Sequence, residues 1–188
     1  MTLLLSDTAL ADVKLVSLRE FIDERGSFME LFRANTYSHL PGQNGPFVQD
    51  NFSKSERDVL RGLHFQHPKG QGKLVRAVYG SIYDVTVDVR QGSPAFGQWQ
   101  AITLSQDQPQ QLWVPPGYAH GFLVLSDVAL VEYKCTEYYS PETESCLYWN
   151  DPHLGIDWPT ETPLLSEKDG NGQTLKQLLE AGRCPRFE

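Results

Sequence analysis

Short runs of strand-forming residues recur between residues 13 and 149, separated by clusters of Gly, Pro, Asn and Asp. In the clearest run, Ile82–Val89, apolar residues alternate with Asp84, Thr86 and Asp88. This two-residue period is typical of a β-strand with one apolar and one polar face. A polar face that points into a barrel would line a ligand pocket.

The chain as a whole is predicted to be all-β, because many short strands with few helices favour a jelly-roll β-barrel. One short C-terminal helix is expected over Thr174–Ala181, where three leucines share a face and Gly182 follows. With 188 residues, the chain fits a single domain spanning 1–188. The further predicted strands are Lys73–Tyr79, Gln98–Leu104, Gln111–Val114, Ala119–Leu125, Ala129–Cys135 and Ser145–Trp149.

The overall charge limits the class of partner. A formal net charge of −8 argues against general binding to nucleic acid or to an anionic membrane surface. Apolar runs fall far short of the ~20 residues that a membrane-spanning helix needs. Cys135, Cys146 and Cys184 form no CxxC pair, and the amino terminus lacks the pattern of a secretion signal. We therefore expect a cytoplasmic protein without a membrane segment.

The first chemically dense cluster runs from Arg61 to Pro68 and contains His64, with Lys73 shortly after it. A histidine exchanges protons near neutral pH, and a lysine is a fixed cation. Together they suit proton removal beside a carbonyl and stabilisation of the enolate oxygen that results. On local sequence alone, His64 fits a hydrogen-bonded core histidine equally well.

The second cluster, Pro115–Phe122, resembles the second motif of the cupin superfamily through its Pro-x-Gly-x-x-His pattern ending at His120. The resemblance implies a small β-barrel. Metal-binding cupins place His-x-His and a downstream Glu in their first motif. In this chain Gln66 stands where the second His belongs, and no acidic residue lies between His67 and Gly80. We therefore predict no metal and no other cofactor.

Several further motifs resemble one family within that superfamily, the dTDP-4-dehydrorhamnose 3,5-epimerases. They occur in the family's order from about residue 13 to residue 169. Two departures are small: Asp58 stands where glycine is frequent, and Gly72 where alanine is frequent. The motifs are Asp23–Phe28, Gln49–Ser53, Leu60–Gln66, Gly92–Gly97, Tyr118–Phe122 and Trp149–Pro152.

This resemblance implies catalytic roles. His64 matches the base that removes the protons at C3 and C5, and Asp169 matches the aspartate that orients it; Asp84 is an alternative partner. The resemblance also implies that Tyr133 is the proton donor on the opposite face of the sugar. An unperturbed phenol is protonated at pH 7 and can donate. Lys73 would stabilise the enolate oxygen. A barrel-wall tyrosine and a solvated lysine are the alternatives.

The resemblance also implies the binding residues and a homodimer, in which residues near Arg25 to Glu30 reach the neighbouring subunit's pocket. Arg25 and Arg61 are candidates to hold the diphosphate, because a guanidinium offers a planar fork of donors. Tyr138 would stack on the thymine ring. The other matching positions are Glu30, Gln49, Asn51, His120, Glu144 and Lys168.

The predicted activity is conversion of dTDP-4-dehydro-6-deoxy-D-glucose to dTDP-4-dehydro-L-rhamnose, a step toward dTDP-L-rhamnose for polysaccharide. Three alternatives stay open. A relative that inverts only C3 or C5, or moves the ketone, shares the barrel and the base. A non-catalytic sugar-binding cupin is disfavoured because it would not need the candidate catalytic residues. A metal-dependent cupin enzyme is disfavoured by Gln66. A preference for thymidine over uridine does not follow from the sequence.

Overall fold

The computed structural model describes residues 3–187, and strands dominate it. Two short α-helices, α1 (Glu167–Gly170) and α2 (Leu175–Glu180), lie near the C-terminus, and a 3-10 helix spans Tyr37–His39. The strands are β1 (Leu4–Asp7), β2 (Lys14–Ser17), β3 (Glu20–Asp23), β4 (Gly26–Met29), β5 (Gln49–Glu56), β6 (Leu60–Gln66), β7 (Lys73–Tyr79), β8 (Ser81–Asp88), β9 (Trp99–Ser105), β10 (Gln110–Val114), β11 (Tyr118–Val124), β12 (Val128–Cys135) and β13 (Glu144–Cys146).

The strands form two antiparallel sheets and a separate hairpin. The large sheet has the order β1-β2-β10-β7-β12-β5, and the small sheet has the order β13-β6-β11-β8-β9. Strands β3 and β4 pair only with each other. Two packed sheets whose consecutive strands alternate between them are the jelly-roll arrangement. The predicted all-β, cupin-type fold is confirmed.

Apolar side chains from both sheets fill one part of the barrel interior. Each fully buried aliphatic side chain contributes about 1.5–3 kcal/mol relative to exposure. The remaining interior is polar and forms a cavity between the sheets. The main members of the apolar cluster are Val75, Ile82, Leu112, Val114, Phe122 and Val131.

Strand β8 shows how the polar part arises. Asp84 and Thr86 point into the barrel, as the alternation predicted, and both are fully buried. Val85 and Val87 point outward but are equally buried, because the C-terminal segment covers this outer face of the small sheet. Both faces of β8 are therefore inside the protein.

The C-terminal segment packs through helix α2. Leu175 and Leu178 of α2 belong to the same apolar cluster as the outward-facing valines of the small sheet. Thr174 caps the helix and forms a reciprocal capping box with Gln177. The helix expected over Thr174–Ala181 is therefore confirmed, with its two end residues in the capping positions.

The β3–β4 hairpin carries apolar side chains that the other described residues leave exposed. Phe21, Ile22 and Phe28 are 47%, 77% and 68% exposed. Arg25 lies in the turn between the two strands. Large apolar side chains clustered on an exposed element mark an interaction surface.

Most predicted strands agree with the structure to within one residue at each end, and Lys73–Tyr79 agrees completely. The predicted strand Ser145–Trp149 is wrong at its end, since β13 stops at Cys146. Leu147 instead bridges to Gln173 of the C-terminal segment. Asp58 has a φ of 64°, a backbone conformation that glycine adopts more readily than other residues. Among residues 3–187, no helix is long and apolar enough to cross a membrane.

Candidate active site

A cavity of about 360 Å³ opens between the two sheets, with helix α1 at its edge. All four predicted catalytic residues line it, and so do four of the predicted binding residues. A larger groove of about 790 Å³ lies near the β7–β8 turn, and all the charged residues that line it are exposed. It therefore lacks the buried ionisable groups found in the cavity. The cavity is lined by Asn51, Phe52, Ser53, Arg61, His64, Lys73, His120, Gly121, Phe122, Tyr133, Ser166, Lys168 and Asp169.

His64 of β6 and Asp169 of α1 form a hydrogen-bonded pair. The distance between His64 Nε2 and Asp169 Oδ1 is 2.6 Å, and the Asp169 side chain is only 7% exposed. Ser166 caps α1 and accepts a hydrogen bond from the Asp169 backbone amide, which fixes the carboxylate. Burial alone would raise the pKa of Asp169, but hydrogen bonding to His64 and Ser166 and the nearby positive charges lower it below its ordinary value. The carboxylate is therefore ionised and holds the imidazole in one orientation.

Tyr133 lines the cavity from the large sheet, whereas His64 lines it from the small sheet. Burial raises the pKa of Tyr133 above its ordinary value, and the nearby Cys135 contributes in the same direction. The phenol is therefore fully protonated at neutral pH. A base on one wall and an acid on the facing wall can act on opposite faces of a bound ring.

Lys73 of β7 is 8% exposed, and its Nζ donates a hydrogen bond of 3.4 Å to the His64 backbone carbonyl. Burial lowers the pKa of Lys73, while negative groups including Glu144 and Asp84 oppose that shift. A buried ammonium interacts strongly with any negative charge that develops nearby, because little water screens it.

His120 of β11 belongs to a second histidine–aspartate pair. Its Nε2 lies 2.8 Å and 3.0 Å from the two oxygens of Asp84, and both side chains are buried. Asp84 therefore partners His120 and not His64, which corrects the alternative raised from the sequence. The reason is strand order: β11 lies between β8 and β6, so Asp84 reaches β11 first.

Two glycines allow β11 and β6 to come this close. A Cβ on Gly62 would lie 2.7 Å from the Cα of Gly121, and Gly62 has a φ of +115°. The pairing of β11 with β6 is irregular at this point, and His120 lies directly opposite His64. The irregularity places both imidazoles at the cavity wall.

The predicted binding residues Gln49 and Glu144 adjoin the cavity through residues that line it. Gln49 donates a hydrogen bond of 3.0 Å to Asn51, and Glu144 pairs with Lys168. Glu144 Oε1 also lies 3.9 Å from His64 Nδ1. Arg61 donates from Nε to Ser55, and within residues 3–187 its terminal nitrogens find no partner.

The remaining three predicted binding residues also do not line the cavity of their own chain. Arg25 lies on the exposed hairpin and pairs with Asp23 at 2.6 Å. Glu30 pairs with Arg33, and Tyr138 is 63% exposed. Their roles therefore depend on ligand contacts beyond this cavity or on a second subunit.

The sequence analysis missed several residues of the cavity wall. Ser53 is the most notable, because its Oγ is buried and has no hydrogen-bond partner among the described residues. Phe52, Phe122 and Ser166 complete the wall. Ser53 and Phe52 lie in the Gln49–Ser53 motif, which was the available signal.

The donor set does not fit a cupin metal centre. Gln66, at the position of the second cupin histidine, is buried and uses its amide in hydrogen bonds to three backbone groups, those of Lys69, Tyr138 and Ser140. His64 and Asp169 are hydrogen-bonded to each other. A metal-independent reaction remains a prediction that these contacts favour.

Comparisons with known proteins place the chain in a family. The sequence model of the protein family described as dTDP-4-dehydrorhamnose 3,5-epimerase matches residues 7–177. A protein of that name from Neisseria gonorrhoeae is 55% identical over 91% of this chain, and the chain spans about half (52%) of that relative's length. One from Pseudomonas aeruginosa is 51% identical over 89% of this chain and 93% of its own.

A solved structure agrees with this assignment. The dTDP-6-deoxy-D-glucose-3,5-epimerase of Legionella pneumophila, in complex with dTDP-4-keto-L-rhamnose, has a TM-score of 0.93 and 46% identity, covering 99% of both chains. The family match covers the large and the small sheet except for most of β1, together with the cavity and helix α1. The chain belongs to the dTDP-4-dehydrorhamnose 3,5-epimerase family.

Proposed function

We propose that this chain is an isomerase that converts dTDP-4-dehydro-6-deoxy-D-glucose to dTDP-4-dehydro-L-rhamnose by inverting C3 and C5. Membership of the family supports this reaction. The observation that carries the mechanism is the placement of the His64–Asp169 pair and of Tyr133 on facing walls of one cavity. Inversion at carbon needs a base and an acid on opposite faces, since reprotonation from the original face returns the substrate.

His64 is the general base. The ketone at C4 acidifies the protons at C3 and C5, and the free ring nitrogen of His64 removes them in turn. The imidazole becomes positively charged at each step, and the ionised Asp169 stabilises that charge at 2.6 Å. Lys73 stabilises the enolate oxygen at C4, and the protonated phenol of Tyr133 returns a proton from the other face.

Local cations hold the nucleotide diphosphate, since the whole chain carries a net charge of −8. Arg61 and Lys168 line the cavity and are the nearest candidates in the same chain. Asn51, His120, Gln49 and Glu144 supply hydrogen bonds to the sugar, and Tyr138 stacks on the base.

The functional unit is a homodimer in which Arg25 and Glu30 complete the neighbouring subunit's site. The exposed Phe21, Ile22 and Phe28 of the hairpin support this arrangement, because a partner subunit would bury them. Sedimentation analysis tests it: Phe28→Ser should shift the protein toward monomers. A monomeric wild-type protein would contradict the dimer.

Residues 1–188 act as one domain in the cytoplasm, where the three free cysteines stay reduced.

Proton NMR of the substrate incubated with the protein in deuterium oxide tests the reaction. Deuterium entering at both C3 and C5, with an NADPH-dependent reductase trapping the L-rhamno product, is the expected result. His64→Ala should abolish the exchange, while the matched control His153→Ala should keep it, because His153 is 79% exposed and lies outside the cavity. Exchange at one carbon would indicate a mono-epimerase, and no exchange would indicate a ketone-shifting enzyme or a binding protein.

A further inference from the structure

The thiol of Cys146 lies beside the proposed catalytic pair, and the reaction does not use it. Cys146 of β13 is directly opposite His64 of β6 in the small sheet, so the two side chains point to the same face. Its Sγ is 3.9 Å from Asp169 Oδ1. One donor atom each from His64, Cys146 and Asp169 lies within 4.8 Å of the other two.

We propose that His64, Cys146 and Asp169 form an inhibitory zinc site, with Zn²⁺ acting as a reversible ligand and not as a resident cofactor. The inhibitory part of this proposal rests on the proposed function of His64. Thiolate, imidazole and carboxylate are the donors that Zn²⁺ prefers, and three protein ligands leave the fourth position for water or a ligand in the cavity.

The geometry requires small movements. With bonds of about 2.0–2.3 Å, the donors around a tetrahedral zinc ion lie about 3.3–3.7 Å apart. The Cys146–Asp169 distance of 3.9 Å is already close to this range. His64 and Asp169, now 2.6 Å apart, must separate by roughly 1 Å to admit the ion between them.

The charges also balance. When zinc binds, the Cys146 thiol loses its proton to solvent, and the thiolate and the Asp169 carboxylate together neutralise the two positive charges. Without metal, burial and the nearby Asp169 raise the pKa of the thiol to about 12, so the thiol stays neutral. Without zinc, the free ring nitrogen of His64 acts as the base. Zinc takes the place of the proton on Nε2, that proton moves to the other ring nitrogen, and His64 can then no longer accept a proton from the sugar.

Cobalt(II) titration followed by absorption spectroscopy tests the site directly, because a cobalt–thiolate bond gives a charge-transfer band. We expect the band in the wild-type protein, its displacement by Zn²⁺, and its loss in Cys146→Ser. Calorimetry with Zn²⁺ should show that Cys146→Ser weakens binding by at least about tenfold, since losing even an outer-shell partner costs about 10–100-fold. The matched control Cys184→Ala should keep both signals, because that thiol packs in the apolar cluster on the outer face of the small sheet.

Enzyme assays then separate this proposal from the proposed function. Zn²⁺ should inhibit deuterium exchange by the wild-type protein, EDTA should restore it, and Cys146→Ser should need at least about tenfold more zinc. Absence of a thiolate band, or equal zinc affinity in wild type and Cys146→Ser, would overturn the site. If the band appears but no exchange occurs without metal, the proposed function fails while the zinc site stands.

Discussion

Asp169→Asn removes one negative charge and changes little else at the proposed base. Asparagine has nearly the same shape, and the hydrogen bond from the backbone amide of residue 169 to the Ser166 cap is retained. The carboxylate is 7% exposed and lies 2.6 Å from His64 Nε2, so it is well placed to stabilise a positively charged imidazole.

The size of the effect follows from that interaction. Two unit charges about 4 Å apart attract each other by about 4 kcal/mol at an effective dielectric constant of about 20. His64 becomes charged as it removes the substrate proton, so most of this energy is lost from the transition state in the variant. Because 1.36 kcal/mol corresponds to a tenfold change in rate, we expect kcat to fall about 10³-fold.

The assay is the initial rate of deuterium entry at C3 and C5, measured by NMR at saturating substrate. Glu167→Gln is the matched control, because Glu167 is an exposed carboxylate on the same helix that makes no contact with His64. It should keep the wild-type rate. If Asp169→Asn is folded and retains more than about a tenth of the wild-type kcat, then Asp169 contributes less than about 1.4 kcal/mol and does not stabilise the charged imidazole as proposed.

Three further predictions concern the other residues of the cavity and its surroundings. Tyr133→Phe should lower formation of the inverted product by about 10²–10⁴-fold while deuterium still enters with retained configuration; equal losses of both would contradict a separate acid. Lys73→Met should abolish activity yet raise the free energy of unfolding by about 1 kcal/mol or more in denaturant titration, because it replaces a buried ammonium; a less stable variant would refute this. Gly72→Ala should lower the free energy of unfolding by about 1–3 kcal/mol, because the added Cβ would lie 2.4 Å from the buried Trp113 ring. Its melting temperature should fall by about 2–12 °C, whereas Gly170→Ala, which has open space, should not lower it.

The strands with regular alternation were predictable from sequence, because one apolar face and one polar face produce a clear period of two. Strand β8 is the best example, and its inward-facing Asp84 binds His120, which lines the cavity. Strand β5 (Gln49–Glu56) was not predicted as a strand, since Phe52 is its one large apolar residue. It lies at the edge of the large sheet, where backbone pairing with β12 suffices to hold it.

The contacts within the site were less accessible. His64 and Asp169 are 105 residues apart, and no local pattern links them; only the family resemblance pointed to this pair. The choice between Asp84 and Asp169 as the partner of His64 depended on strand order, which local sequence does not reveal. Arg25 and Glu30 lie outside the cavity because the hairpin pairs only with itself and projects from the barrel.

The position of Asp169 after every strand that the structure describes has a consequence for synthesis of the protein. The ribosome delivers His64, Lys73 and Tyr133 before the segment that carries the carboxylate and helix α2. Until that segment docks, the outer face of the small sheet is bare, and the base lacks its partner. We therefore expect a nascent chain to be inactive and to expose this apolar face until the C-terminal segment docks, so that one docking event ends both conditions.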